Sequence, residues 1–574
     1  MEATNIKDLF GARNRRFVIP EYQRAYSWEP QKQLRQFIED LRETDQNYYL
    51  GHYLFERDGE TRYLIDGQQR LTTCVIFFSS LIYTLSKRND TTIDLNDISD
   101  YYIIDGRKKT QRLTTVNYDN PFFHDIIIEH KREAMLEELT SSSKKAIWNA
   151  RQFFDRIMEN TPTCEIERWA QLIENACITE FEVHSKINAA QIFAFQNDRG
   201  KSLTHLEILK AYFMLQIYIS PTDKEQQEEV IRDLEQEFAD IYKTIVFIHI
   251  SEDNVLNYYW RGVSKLGYNS ENTVSEIKEL LRNMQREKQI AWIRDFVREL
   301  RQSFLFVREI ETDVQPDMQN LSYLKNEALW MPVLIKARRL IIQREIYYRI
   351  VKLMENLTFR SCLRGGRADI SSRLNDFLRN VNNETAEGWI NNIIRDIKVG
   401  GWWEYWTDSE LRNNLNSVNF YHNSLKNYVL WRYEQYLCNR NYPKPRVSFD
   451  EIRGESIEHI APQTCPDLNN PESYGYGIYI SKENPDEGIE SGKWIHSIGN
   501  LVLMAQGINS SIRNGYFSTK LSAYESDDNL LHQQKEIRKF VSDPNLPIWD
   551  KAAIERRRKA LIDAAMQIWS LDKI

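Results

Sequence analysis

Two separated groups of side chains in this chain are suited to work on phosphate. Near the C-terminus, Ser456-Ile-Glu458-His459-Ile-Ala-Pro-Gln463 is followed by Lys493-Trp-Ile-His496-Ser-Ile-Gly499-Asn500-Leu-Val-Leu-Met504, then by Asn509 and by Phe517-Ser-Thr-Lys520. A histidine titrates close to neutral pH and can take the proton of an attacking water. Carboxylate and amide oxygens are the hard donors that Mg²⁺ or Mn²⁺ prefers. A lysine neutralises phosphate charge. An isolated histidine on a strand is more often an ordinary packed residue, so the weight rests on several pieces occurring in order.

The second group is near the N-terminus, in Ile19-Pro20-Glu-Tyr22-Gln23-Arg24-Ala-Tyr26-Ser-Trp28 and in Asp66-Gly67-Gln68-Gln69-Arg70-Leu-Thr-Thr73. The latter lies where a β-prone run gives way to an apolar helical run. The first turn of a helix offers free N–H groups and a partial positive charge, which suit phosphate. Gly67 permits a tight turn, Arg70 offers a forked cation, and Asp66 could hold Mg²⁺ or orient a water. Equally, Asp-Gly is a turn signal and Asp66 a simple helix cap. A third stretch, Phe193-Ala-Phe-Gln-Asn197-Asp-Arg199-Gly200-Lys-Ser-Leu203-Thr204, opens another helix with Thr204 as its cap. Residues 11–42 hold seven Lys or Arg against four Asp or Glu, with Tyr22, Tyr26 and Trp28 beside Arg24, a mix that stacks on bases and pairs phosphates. For Trp28, packing is the favoured role.

The elements that must carry these residues follow from periodicity. Arg16–Pro20, Tyr48–Phe55 and Thr61–Asp66 read as strands, the last two as a hairpin about Arg57-Asp-Gly-Glu60. Gln31–Arg42 reads as a helix with Leu34, Phe37, Ile38 and Leu41 on one face, and a helix runs from Gly67 to about Ser86. From about 145 to 440 helical spacing dominates, as in 228–242 and Ala337–Leu353. Arg446–Ile452 reads as a short strand and Lys551–Trp569 as the closing helix. Overall, a predominantly helical α+β chain is expected, divided at 1–215, 216–414 and 415–574.

Composition bounds the function. The chain has 574 residues, 42% of them hydrophobic, which excludes a disordered tail or a small disulfide scaffold. The net charge of −8 excludes a generic basic coat for nucleic acid. The acids are unevenly spread, with six of them against one lysine in residues 464–490. None of the six cysteines forms a C-x-x-C pair, so no zinc knuckle is expected. The beginning of the sequence has no apolar signal core, and the strongest apolar run, Thr72–Leu85, is shorter than the roughly 20 residues of a membrane span. A soluble cytoplasmic chain without a membrane partner is expected. The basic runs Arg360–Arg367 and Arg556–Lys559 read as a helix–helix turn and a solvated helix face, with phosphate contact the competing role. His52, His184, His205 and His496 read as packing or surface residues.

These motifs together resemble the GmrSD-type restriction endonucleases. The pairing of I-P-x-Y-Q-R-x-Y-x-W with D-G-Q-Q-R-L-T-T, and the F-x-x-x-N-x-R-G-x-x-L-T run, are similar to the N-terminal domain of that family; E-H-I-x-P-Q, G-N-L-x-L and N-x₁₀-K are similar to its C-terminal HNH domain. The resemblance implies a ParB/sulfiredoxin-like N-terminal domain, a helical middle and a ββα-metal nuclease domain. It implies a nucleoside triphosphate (GTP, UTP, CTP and ATP remain open) bound by Gln23, Arg24, Asp66, Gly67, Gln68, Gln69, Arg70, Asn197 and Arg199, with Asp66 acting in its hydrolysis. It also implies phage DNA, modified or not, as substrate. His459 is then the general base, the side-chain carbonyl of Asn500 its orienting acceptor, Glu458 and Asn509 the ligands of Mg²⁺ or Mn²⁺, and Lys520 a contact to the phosphate. Glu458 stands where many HNH domains have Asp, and Asn509 replaces the last histidine. A nucleotide-dependent DNA-binding regulator with a non-catalytic HNH domain, an RNA substrate and a homo-oligomer remain open.

Overall fold

The hairpin that carries Asp66 forms as its alternation dictates. Eight strands occur in the N-terminal part: β1 (Glu2–Asn5), β2 (Arg16–Val18), β3 (Tyr49–Asp58), β4 (Thr61–Asp66), β5 (Ile104–Asp105), β6 (Thr110–Gln111), β7 (Leu113–Thr114) and β8 (Cys177–Val183). β3 and β4 pair antiparallel through a two-residue turn in which Gly59 has φ +60°, tighter than the four residues expected. Six strands make one mixed sheet in the order β1-β8-β3-β4-β2-β7, and β5 pairs with β6. The computed structural model describes the chain apart from residues 1, 12–14, 22, 45, 47, 107, 117, 132–137, 184–203, 222, 366–368, 442–448, 450–456, 505–514 and 527–530. It contains two units, Met1–Trp260 with Ser270–Glu311, and Arg261–Asn269 with Thr312–Ile574.

In the first unit the helix Gln68–Leu85 is buried nearly all round, including Ser79 and Ser80, because the sheet and the helices Leu95–Tyr102, Ser142–Glu159 and Thr163–Glu174 enclose it. Its unbroken apolarity is thus that of a core helix. Among the described residues no helix is long and apolar enough to cross a membrane. The expected helix after Trp28 begins as a wide turn at Pro30–Leu34 and continues as Arg35–Glu43, burying Leu34, Phe37, Ile38 and Leu41 as its spacing predicts. Further on, Lys224–Ile245 packs on Arg286–Glu311 through Val230, Ile231, Leu234 and Phe238.

The second unit is helical around one short ribbon, β9 (Ile457–His459) paired antiparallel with β10 (Leu501–Leu503), so that His459 faces Leu501 and Glu458 faces Val502. β10 is apolar throughout because both its faces are covered. Leu501 and Leu503 join the core of Phe359, Tyr428 and Trp569, whereas Val502 joins that of Ile460, Tyr476, Phe517 and Trp549. One expected helix is corrected. Ala337–Leu353 is not continuous: Glu327–Arg339 ends, and Arg344–Arg364 begins after a turn. Ile342 N–H bonds back to the Ala337 carbonyl, and Ile341, at φ +53° and 83% exposed, is the left-handed closing residue. The apolar period runs through the break because helices on both sides of it bury faces. The expected strand Arg446–Ile452 lies outside the described residues except for Phe449, which is buried.

The two basic runs also resolve into packing. Arg360 is buried and donates to the Trp406 and Trp569 carbonyls and to Asp408, while Arg367 lies outside the described residues. In the closing helix Lys551–Ile568, Arg557 is fully buried and donates to the Gly499 and Leu501 carbonyls, so that run is not wholly a solvated face.

Candidate functional site

Neighbouring residues of a strand point to opposite faces, and β9 uses this to separate Glu458 from His459. Glu458 turns inward to Lys520 on the helix Phe517–Glu525. Lys520 is 1% exposed, and its ammonium also donates to the carbonyls of His459 (2.9 Å) and Ile460 (3.2 Å). All three of its protons are therefore used inside the protein, and the expected contact between Lys520 and a phosphate is replaced by an internal ion pair. Burial raises the Glu458 carboxyl pKa, an effect that Lys520 only partly opposes.

His459 faces the other way, into a cluster of rings. Its Nδ1 meets the Gln463 amide nitrogen at 3.1 Å, and its Nε2 meets His496 Nδ1 at 3.3 Å. Tyr421 lies 4.5 Å from it, centroid to centroid, and stacks on His496, which also contacts His422. Burial lowers the His459 pKa to about 3, helped by His496, Lys520, Lys426 and His422. A neutral imidazole among cationic neighbours is in the protonation state of a base and in a field that favours an anionic ester.

Asn500 does not touch the imidazole, which corrects the expected orienting role. It is fully buried. Its Oδ1 accepts from Ala461 N–H (2.8 Å) and Trp549 Nε1–H (2.9 Å), and its Nδ2 donates to the carbonyls of Ala461 (3.0 Å) and Ile495 (2.9 Å). With that, its amide fastens the segment after His459 to the turn before β10, so it positions the histidine through the backbone. Gln463 takes the place expected for Asn500. Asn509 lies outside the described residues. The described residues near His459 thus offer one carboxylate, Glu458, already paired with Lys520, and do not by themselves complete a shell for Mg²⁺ or Mn²⁺. The acids Glu472, Glu483, Asp486, Glu487 and Glu490 of the long loop are exposed, while Tyr476, Tyr479 and Ile489 anchor it.

In the first unit the D-G-Q-Q-R segment closes the step from β4 to its helix. Gly67 has φ +92°, and a Cβ there would lie 2.4 Å from the Tyr53 ring, so only glycine fits. Asp66 accepts from Gly67 N–H (2.8 Å), and its other oxygen is 2.9 Å from His52 Nε2. Gln69 accepts from Ser27 N–H (2.9 Å) and donates to the Ala25 carbonyl (3.0 Å), while Gln23 donates to the Ile65 carbonyl (2.6 Å). These two glutamines bind the segment 23–27 onto the junction. Arg70 donates to the carbonyls of Leu50 (3.0 Å) and His52 (2.8 Å) and lies against Gly51, whose added Cβ would meet Nη1 at 1.7 Å. The fork expected to meet phosphate is engaged with β3 backbone.

Arg24 opens onto a cavity of about 410 Å³ shared with Tyr26, Ser27, Ser143, Thr204 and Glu207. Burial lowers its pKa, and the charges of Glu207 and Asp66 oppose this. The helices Ser142–Glu159 and His205–Tyr218 begin at this cavity, the second with the expected cap: Thr204 Oγ1 accepts from Glu207 N–H and Glu207 accepts from Thr204 N–H. Anions favour such helix starts. The buried Oε1 atoms of Gln23 and Gln68 have no hydrogen-bond partner among the described residues, which leaves acceptors for a donor-bearing ligand. Asn197 and Arg199 lie outside the described residues, in the segment that leads to Thr204.

His52, His496, His422, Tyr421 and Gln463 are absent from the sequence-based site. Only Gln463 had a local signal, the end of E-H-I-x-P-Q. The others reach their partners from distant segments.

Two family models match the chain. Residues 6–214 match the GmrSD restriction endonuclease N-terminal domain, and residues 405–564 match the C-terminal domain of the GmrSD restriction endonucleases. No curated protein matches it.

Proposed function

Since the chain belongs to the GmrSD restriction endonucleases, a family of phage-defence nucleases, we propose that it is a nucleotide-regulated DNA endonuclease gated by modified DNA. The observation that carries the cleavage reading is His459, neutral and held between Gln463 and His496 at the end of a ribbon fastened by Asn500. In this reading His459 takes the proton of the attacking water, Gln463 and His496 hold its ring, and Lys426 and His422 draw the phosphodiester in. A Mg²⁺ or Mn²⁺ ion, held by Glu458 and Asn509, supplies Lewis-acid stabilisation of the leaving oxygen. The ribbon and the helix that bears Lys520 then correspond to a ββα-metal domain within 415–574. The sheet and the cavity at Arg24 correspond to a ParB/sulfiredoxin-like domain within 1–215, and residues 216–414 to the helical middle. A nucleoside triphosphate would place its phosphates near Arg24, Thr204 and Asp66, with Asp66 and His52 handling the water.

The ion pair of Glu458 with Lys520 favours a second reading, a nucleotide-dependent DNA-binding regulator whose HNH domain does not cut. One assay separates them. Modified and unmodified phage DNA are incubated with the protein and Mg²⁺, with and without each nucleotide, using wild type, His459→Ala and Asp66→Ala. Cleavage by wild type and none by His459→Ala supports the nuclease. Binding without cleavage by either supports the regulator. Normal nucleotide turnover by Asp66→Ala refutes the role given to that residue.

A further inference from the structure

The second unit holds a buried set of metal-ligating side chains that the cleavage reading does not use. Glu434 and Cys438 stand four residues apart on the helix Lys426–Asn441 and so share a face. His532 lies at the start of the helix His532–Lys535. One ligating atom from each lies within 4.8 Å of the others. We infer that Glu434, Cys438 and His532 bind a zinc ion that ties these two segments together.

The donor set is chemically apt. Zinc takes thiolate, imidazole and carboxylate together, at bond lengths that put sulfur and oxygen ligands about 3.5 Å apart around a tetrahedral ion. Cys438 Sγ and Glu434 Oε1 are 3.9 Å apart, so closure needs a shift of only a few tenths of an ångström. An independent observation also points to a cation. Glu434 is fully buried, and no lysine or arginine pairs with it among the described residues. Its partners are the N–H groups of His532 (2.6 Å) and Gln533 (2.9 Å), the Gln533 side chain (3.3 Å) and the Cys438 thiol. A buried carboxylate supported by neutral donors alone is costly, and a divalent ion offsets that cost.

Proton balance is simple. Without metal, burial and the Glu434 charge push the Cys438 thiol up to about 12, and it remains an S–H donor to Oε1. On binding, the thiol proton leaves to solvent, the Zn–S bond forms, and the ion takes the place of that proton beside Oε1. Zinc stays divalent and water completes its shell. Cysteine spacing cannot reveal such a site, because its ligands are one Cys, one Glu and a His from a distant segment.

The test titrates Co²⁺ into the metal-free full chain. Cobalt bound by Cys438 gives a thiolate charge-transfer band in the near ultraviolet together with the visible bands of a four-coordinate ion. A metal at Glu458 and Asn509 has no thiol and cannot give the first. The expected result is one such Co²⁺ per chain, displaced by Zn²⁺. The band is lost in Cys438→Ser and in His532→Ala and kept in Cys465→Ser. The wild-type titration alone can overturn the inference: no charge-transfer band means no site. A band retained in Cys438→Ser, folded by circular dichroism, assigns it to another thiol and equally overturns the inference.

Discussion

Replacing Lys520 by methionine removes one half of a buried ion pair and keeps most of the side chain's volume. Lys520 is 1% and Glu458 8% exposed, so the carboxylate left behind has little access to water. The carbonyls of His459 and Ile460 lose their donor at the same time. Leaving one buried charge unpaired costs about 3–5 kcal/mol. At about 2–4 °C per kcal/mol for a unit of this size, the melting temperature falls by roughly 6–20 °C. Because the Glu458 carboxyl pKa is already raised by burial, loss of Lys520 raises it further. The deficit relative to wild type is therefore largest at neutral pH and shrinks as acid protonates Glu458. The double variant Glu458→Gln/Lys520→Met removes both charges and regains part of the loss, so a double-mutant cycle reads the coupling directly. Calorimetric scans of the four proteins at pH 7 and pH 5 provide the measurement. A Lys520→Met protein that melts within about 1 °C of wild type at pH 7, or a double variant no more stable than it, refutes the interior ion pair.

Three other outcomes follow from the same geometry. Asn500→Ala leaves Trp549 Nε1–H and the Ala461 backbone without partners; it costs about 3 kcal/mol in urea unfolding, and by letting His459 drift it lowers DNA cleavage about 100-fold. Gly67→Ala forces a side chain to φ +92° against Tyr53; it destabilises the first unit by about 2 kcal/mol or more and abolishes nucleotide turnover, read by melting and phosphate release. Asp119 is buried, and its carboxyl is raised from 3.8 to about 6, so the folded state holds its proton more tightly than the unfolded one. Stability is thus lost as pH rises from 3.8 through 6, by about 3 kcal/mol in all. Asp119→Asn escapes that loss, and its stability relative to wild type should climb between pH 4.5 and 7; a pH-independent gap would show the assignment to be mistaken.

How far the sequence could be read depended on how local each interaction is. The β3–β4 hairpin and the helix after Gly67 were legible because a change from twofold to helical spacing, with glycine at the step, needs no distant partner. The Thr204–Glu207 cap was legible for the same reason. Arg70, Lys520 and Arg557 were misjudged because a cation in sequence looks alike whether it meets phosphate, a carboxylate or a backbone carbonyl. Ile341 was missed because the apolar period runs through it.

By itself, the sequence determined the elements and the order of the motifs, and through them the family, since backbone propensity, periodicity and motif spacing act over a few residues. Tertiary structure alone decided which atoms meet: His496 against His459, His52 against Asp66, Glu458 against Lys520 and Glu434 against Cys438 and His532. Except for Glu434 and Cys438, these partners lie on separate segments. Burial then sets their charge state, because desolvation and neighbouring charges exist only once the chain is packed.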